Sequence, residues 1–289
     1  MEYLFLVITT SIWGSLYVVT KIALAEIPPV TMLMLRYAIA SIAFGILLAV
    51  TKRKINFKKK DIGSILFIGI IGYFLGVAAQ VVGTKYGGAS LASLVNALNP
   101  VFITIFAAVY LKERIGPARI LSILLGLAGV YIIIAGARGV ELKLGVVFSI
   151  VSVILWSLSS VLVKKISTEY DPLAVTAAAL WIATAFSIPC SIIELAHTAQ
   201  YNLFSPVSIG CILYLGIIGT AVPNLLWNLS LSRLDASICS LFYPVQPLVS
   251  VLLGGLLLGE KMTVPFWIGA ALIISGLFLS IAGGRKHKK

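Results

Sequence analysis

Apolar residues in this chain come in ten long runs, separated by short stretches that hold nearly all of the charge. The runs cover approximately residues 3–24, 30–50, 61–82, 88–110, 118–136, 143–163, 172–194, 207–229, 236–258 and 264–283. A hydrocarbon core about 30 Å thick takes about 20 mostly apolar residues to cross as a helix, so each run predicts a membrane span. Strands of a membrane barrel would alternate apolar and polar at every second residue, whereas residues 121–134 are apolar on all sides. The pattern therefore predicts an all-α integral membrane protein with ten transmembrane helices. The connections are too short to hold a soluble domain.

A second pattern lies on top of the first. Trp13 and Lys21 recur as Trp156 and Lys164, both 143 residues on, and Ala89, Ser90, Pro100 and Glu113 recur as Ala236, Ser237, Pro247 and Glu260, each 147 residues on. The expectation is a duplication, residues 1–139 and 140–289, with five spans in each half. An odd number of spans makes the second half enter the membrane from the opposite side, so the two five-helix repeats are inverted. Inverted repeats commonly hold a substrate site near the bilayer midplane, between the halves.

Composition and charge agree with a bilayer. Of 289 residues, 60% are hydrophobic and 11% charged, too few polar groups to clothe a water-soluble globule of this length. With the amino terminus inside, sixteen Lys and Arg fall in cytoplasmic segments, including Lys52, Lys58, Lys60, Arg114, Lys164 and Arg233. Lys21, Lys85, Arg138, Lys143 and Lys261 fall outside, so the positive-inside rule puts both termini in the cytoplasm. The net charge of +12 is thereby a property of loops and gives no basic groove for nucleic acid. The cluster from Lys52 to Lys60 reads as a topological anchor that can touch anionic lipid. Residues 23–25 resemble a signal-peptide cleavage site, but Glu2 stands where basic residues are expected. Cys190, Cys211 and Cys239 lie inside spans and read as packing residues. His197 and His287 have no ligand-spaced neighbours, so neither a metal nor another cofactor is expected.

The residues that cost something in a membrane define the candidate site. Trp13 and Trp156 reach the midplane from opposite sides, although tryptophan ordinarily prefers the interface; each is followed by a small residue, Gly14 or Ser157. Pro100 and Pro247 break helices near the same depth and free the carbonyls of Asn96 and Tyr243; Pro244 does so for Ser240. Asn96, Asn99, Tyr243 and Gln246 add side-chain hydrogen-bonding groups there, and Tyr73 and Asn224 join them from other spans. A hydrated cavity is one reading, close packing with a plain kink the other. Arg36 is the single charge well inside a span. It either awaits a substrate carboxylate or phosphate, or snorkels outward or binds a backbone carbonyl. Ala89, Ser93 and Ala97, with Ala236 and Ser240, form small-residue stripes that suit close contact between spans four and nine. Glu113 and Glu260 adjoin Arg114 and Lys261 and read as helix-end ion pairs.

Taken together, these residues resemble the drug/metabolite transporter superfamily, and within it the ten-helix EamA-type members. Trp13-Gly14, Lys21, Arg36 and the run from Gly88-Ala89-Ser90 through Asn99-Pro100 to Glu113-Arg114 look like a first EamA unit. Trp156, Lys164, Ala236-Ser237, Gln246-Pro247 and Gly259-Glu260-Lys261 look like a second, with Ser157 in place of glycine and no partner for Arg36. The resemblance implies a secondary carrier in the cytoplasmic membrane of a bacterium or archaeon.

The expected function is export of small polar or amphipathic metabolites, amino acids or related compounds, by alternating access. Uptake of a small amine or metabolite and the flipping of lipid-linked sugars are the alternatives. An enzyme is not expected, because no intramembrane His or carboxylate pair offers a base or nucleophile, and no P-loop motif is present. The expected partners are a small-molecule substrate and the lipid bilayer, with the chain a monomer or weak homodimer.

Overall fold

The computed structural model describes residues 2–111, 117–136, 140–198, 201–234, 239, 242–243 and 245–286, and the described residues are helical, with no strand among them. The helices are α1 (Glu2–Ala23), α2 (Pro29–Val50), α3 (Lys59–Gly87), α4 (Ala89–Tyr110), α5 (Pro117–Gly136), α6 (Val140–Ile166), α7 (Pro172–Ala196), α8 (Pro206–Leu231), α9 (Val245–Leu258) and α10 (Val264–Lys286). Seven are long and apolar enough to cross a membrane: α1 to α4 and α6 to α8. The apolar stretches Leu124–Ile133, Val245–Leu258 and Val264–Gly276 are shorter, and they fall within the other three runs of the sequence. Glu113, Arg114, Arg138, Ala236, Ser237, Ser240, Pro244 and His287, singled out above, lie outside the described residues.

Several helices start where a local signal dictates. Pro172 follows Asp171, whose carboxylate accepts from the Leu173 amide at 3.0 Å, and Pro206 follows Ser205, whose hydroxyl accepts from the Ser208 amide at 2.9 Å. The start of α2, at Pro28-Pro29, has no side-chain cap of its own. Glu194 from the end of α7 supplies one, accepting from the amides of Val30 and Thr31 at 3.1 and 2.7 Å.

Packing follows a regular scheme. Helix α1 lies against α8 and α9, while α6 lies against α3 and α4; α2 touches α8, while α7 touches α3; α2 pairs with α7, α4 with α9, and α5 with α10. The outward surface is aliphatic and aromatic, with Ile42, Ile46, Ile192, Leu252, Leu256 and Phe278 all exposed, as a lipid-facing surface should be. Cys190 is exposed on this surface rather than packed in the core, and only Cys239 is buried.

Two interior helices are not regular. Residues Ile68–Gly76 of α3 and Tyr214–Ala221 of α8 are wound as π-helix, and both stretches press against neighbouring helices through glycine. A Cβ added to Gly72 would sit 2.4 Å from the Ser159 Cβ, so the α3–α6 contact exists only because that position is bare.

Loops on each face are tied to one another. On one face Arg53 pairs with Asp171 at 2.7 Å, Lys58 with Glu169 at 3.1 Å, and Arg233 with Glu2 at 2.7 Å. On the other, the Glu26 carboxylate accepts from the hydroxyls of Ser205 and Ser208, and the Asn202 amide donates to the Glu26 carbonyl. The Ser205 hydroxyl, and then that of Ser208, hold the Glu26 carboxyl below the usual carboxylate range.

Two outcomes are expected. Gly72→Ala should lower stability by about 1–3 kcal/mol through overpacking against Ser159. Gly210→Ala, where an added Cβ meets nothing within 4 Å, should leave it unchanged or slightly raised; thermal denaturation in detergent separates the two. Because the native state favours ionised Glu26, its contribution is full above the unfolded carboxyl value of about 4.3 and is lost as pH falls through the lower folded value. The gap in melting temperature between the wild type and Glu26→Gln should accordingly close as the medium is acidified from pH 7.

Candidate functional site

The lipid environment makes every break in a helix a debt of unpaired backbone groups, and in this chain the breaks converge on the interior. Helix α4 keeps the length of one span but is interrupted at Ala97–Leu98, just ahead of Pro100, between Ala89–Asn96 and the stretch that starts at Asn99. The Asn96 carbonyl freed by Pro100 is not left as an acceptor for a ligand. The Asn99 side-chain amide donates to it at 2.8 Å, and the Asn99 side-chain oxygen in turn accepts from the Ser157 hydroxyl on α6 at 2.9 Å. The Tyr243 carbonyl is similarly taken, by the Gln246 amide at 3.1 Å. Both prolines are buried. They act by making the breaks, while the side chains beside them carry the polarity.

These breaks surround a cavity of about 50 Å³. All nine residues singled out above for substrate line it: Trp13 of α1, Arg36 of α2, Tyr73 of α3, Asn96 and Asn99 of α4, Trp156 of α6, Asn224 of α8, and Tyr243 and Gln246 at the start of α9. Ser152, Leu16 and Val77 also line it, as do Tyr37 and Gln80, none of them singled out above. Ser152 lies one turn before Trp156 on the same face of α6, a spacing that could have flagged it.

The two tryptophans meet. Their ring centroids are 6.3 Å apart and the planes stand at 89°, an edge-to-face pair joining α1 to α6. Tyr73 lies 5.3 Å from Trp156, and Trp227 lies 5.2 Å from both Trp13 and Tyr243. This aromatic layer separates the cavity from a smaller one of about 10 Å³, reached past Ser159, Ser160 and Asn228. Gly14 beside Trp13 serves close packing: an added Cβ would stand 2.6 Å from the Gln246 carbonyl oxygen.

Arg36 neither snorkels outward nor binds a backbone carbonyl. It is 4% exposed, and its Nε donates to the Thr220 hydroxyl of α8 at 3.1 Å. Thr220 lies in the π-helical stretch and passes its own proton to the Leu215 carbonyl at 2.7 Å. The guanidinium carbon stands 5.4 Å from the Tyr37 ring centroid, and the Tyr37 hydroxyl donates to the Tyr73 carbonyl at 2.7 Å. Nη1 has no hydrogen-bond partner. Asn224 accepts from the Tyr73 hydroxyl at 3.3 Å and donates to the Thr220 carbonyl at 2.8 Å. Among the described residues no three His, Cys, Asp or Glu side chains gather where a metal ion could be held.

The repeated charged residues close the ends of these helices. Lys21 donates to the Lys85 carbonyl at 2.5 Å, at the end of α3, and Lys164 donates to the Leu231 carbonyl at 3.2 Å, at the end of α8. Glu260 spends both oxygens on the start of α4, accepting from the Ala89 and Ser90 amides at 2.7 and 3.0 Å, rather than acting only as a neighbour of Lys261. Gly88, at φ 84°, makes the turn that brings those amides round, a conformation glycine adopts without cost. Ser250 of α9 donates to the Ala89 carbonyl at 3.0 Å, so α4 and α9 do meet.

A family model described as the EamA-like transporter family matches residues 1–135 and again residues 143–282. An uncharacterized transporter of Archaeoglobus fulgidus is 28% identical over 283 residues, spanning 97% of this chain and 98% of its own. A protein of Escherichia coli named "Probable amino-acid metabolite efflux pump" is 25% identical over 286 residues, spanning 96% and 93%. One solved crystal structure superposes with a TM-score of 0.71 over 100% of this chain and 99% of the other at 22% identity, a likeness of fold.

Removing the Asn99–Ser157 bond should cost measurable stability. A double-mutant cycle of Asn99→Ala and Ser157→Ala, followed by thermal denaturation, should return a coupling of about 1 kcal/mol. Strict additivity would mean that this bond does not hold α4 to α6.

Proposed function

The chain belongs to the EamA-like transporter family, and on that premise we propose that it exports small polar or amphipathic metabolites, amino acids or related compounds, by alternating access. The substrate occupies the cavity between Trp13, Arg36, Tyr73, Asn96, Asn99, Trp156, Asn224, Tyr243 and Gln246. The observation that carries this reading is the meeting of Trp13 and Trp156 at a cavity that also holds a buried guanidinium with one nitrogen unpartnered. Lipid-facing packing gives no reason to spend such groups at mid-depth.

The moving parts in this proposal are two inverted five-helix repeats, residues 1–139 and 140–289. Exchanging each helix for the one five places along turns the packing scheme into itself: α1 on α8 becomes α6 on α3, and α2 on α8 becomes α7 on α3. The same exchange carries the Lys21–Lys85 contact to Lys164–Leu231, and the π-helical stretch of α3 to that of α8. A molecule built this way has two equivalent packings of opposite aspect, which is what alternating access needs. The positive-inside count supports both termini in the cytoplasm of a multi-pass cell-membrane protein. The name of the Escherichia coli relative supports export of amino-acid metabolites.

A cavity of about 50 Å³ has room for a few waters, each needing about 10–15 Å³ of such space. In this proposal a metabolite therefore enters only as helices part. The contacts to be broken at one mouth are few: Glu260 on the start of α4 and Lys21 on the end of α3.

Purified protein in liposomes should exchange labelled substrate in counterflow when offered a panel of amino acids, their derivatives, amines and nucleosides. Trp13→Ala and Trp156→Ala should each reduce exchange by more than tenfold while eluting as folded protein. No movement of any compound under any ion gradient would remove the carrier reading.

A further inference from the structure

Among the described residues the cavity carries one formal charge and nothing to balance it. Arg36 is the single ionisable group of ordinary physiological charge among the lining residues; its other polar neighbours are neutral amides and hydroxyls such as Asn96, Asn99, Asn224 and Gln246. No carboxylate approaches the guanidinium within 4 Å among the described residues. A buried charge without a partner is costly, and the cost is relieved when an opposite charge arrives.

The head group is also held ready for that arrival. Nε is spent on Thr220, whose hydroxyl is itself aimed by its bond to the Leu215 carbonyl, and Tyr37 backs the plane of the guanidinium. Nη1 remains as a buried donor without a partner, on a side chain that lines the site. An anion can therefore be received by a pre-oriented group, with charge-assisted hydrogen bonds of the stronger kind.

A substrate ammonium would meet the opposite situation. The lining rings that could hold a cation on their faces are packed on one another or on a ring outside the cavity: Trp13 and Trp156 stand edge to face, Tyr73 lies 5.3 Å from Trp156, and Tyr243 stands at 77° to Trp227. They form a closed layer rather than an open cage. Among the described residues no acidic side chain lines the site, and any cation placed there shares a small low-dielectric space with Arg36. A dianion is equally unsuited, because no second cation lines the cavity.

We propose that this site selects monoanionic carboxylates with an apolar body and no free ammonium, such as N-acylated amino acids, over the parent zwitterions and over amines. The proposal rests on the carrier reading only for its physiological meaning. The selection itself is a property of binding.

Binding is read by quenching of intrinsic tryptophan fluorescence, since Trp13 and Trp156 line the site. The wild-type protein in detergent is titrated with N-acetyl-leucine, leucine and isoamylamine, which share one aliphatic body and differ in charge. The expected result is that N-acetyl-leucine binds at least tenfold more tightly than leucine, and that isoamylamine does not bind. Arg36→Gln should remove the advantage of the anion, and Arg36→Lys should retain part of it. Leucine binding as tightly as N-acetyl-leucine overturns the proposal, as does failure of all three to bind the wild type; neither depends on a variant folding. Anion binding without transport in liposomes would remove the carrier reading and leave this one standing. Transport that prefers leucine would do the reverse.

Discussion

In hydrocarbon a backbone amide or carbonyl without a partner has no water to turn to, and the rest of this structure depends on how that constraint is met. An unbroken helix meets it alone. This chain instead interrupts its helices near Gly88 and Ala97, and winds two stretches as π-helix. The exposed backbone groups are covered from elsewhere: Glu260 and Glu194 on helix starts, Lys21 and Lys164 on helix ends, Asn99 on a carbonyl freed by proline. The covers by Glu260, Glu194, Lys21 and Lys164 each come from a different segment than the one they cover. Backbone satisfaction thus doubles as the interhelical glue.

The same economy explains the interior. Aromatic rings from α1, α3, α6 and α8 pack edge to face or tilted into a layer, filling the interior with groups that need few hydrogen bonds. Most of the polar amides, Asn96, Asn99, Asn224 and Gln246, line the larger cavity, and Asn228 lines the smaller one. Arg36 is the exception, charged and deeply buried, yet anchored through Nε alone. Its position on α2, held by a threonine of α8, couples the charge to the contact between two helices from different halves of the chain. Movement of α8 against α2 would alter the guanidinium's environment directly.

How much could be read beforehand varies residue by residue. Trp13, Trp156 and Arg36 are legible because each is expensive at its depth, and expense in a membrane is visible in sequence alone. Asn96 and Asn99 are half legible: their depth is readable, but which of them serves a ligand and which repairs the backbone is not, because the repair requires the break at Ala97 to exist first. Ser152 is legible only through its spacing from Trp156, and Thr220 is illegible, since a hydroxyl in a helix is inexpensive and can always bond its own preceding turn. Glu260 was read as the neighbour of Lys261 because sequence shows only adjacency, whereas its partners lie 170 residues or more away.

The sequence by itself determined an all-helical membrane chain and its markers of duplication, because burial in lipid is decided by local composition: a run of about 20 apolar residues needs no tertiary context to be a span. It also determined which residues would be costly at mid-depth. Only the tertiary structure decided that those residues face one cavity, that the tryptophans touch, that one arginine nitrogen is left over, and that a glutamate from the end of α9 holds the start of α4. Those outcomes depend on how far each helix rotates about its axis and which neighbour it meets. Interlocking side chains across the whole bundle set that angle, and no single segment contains it.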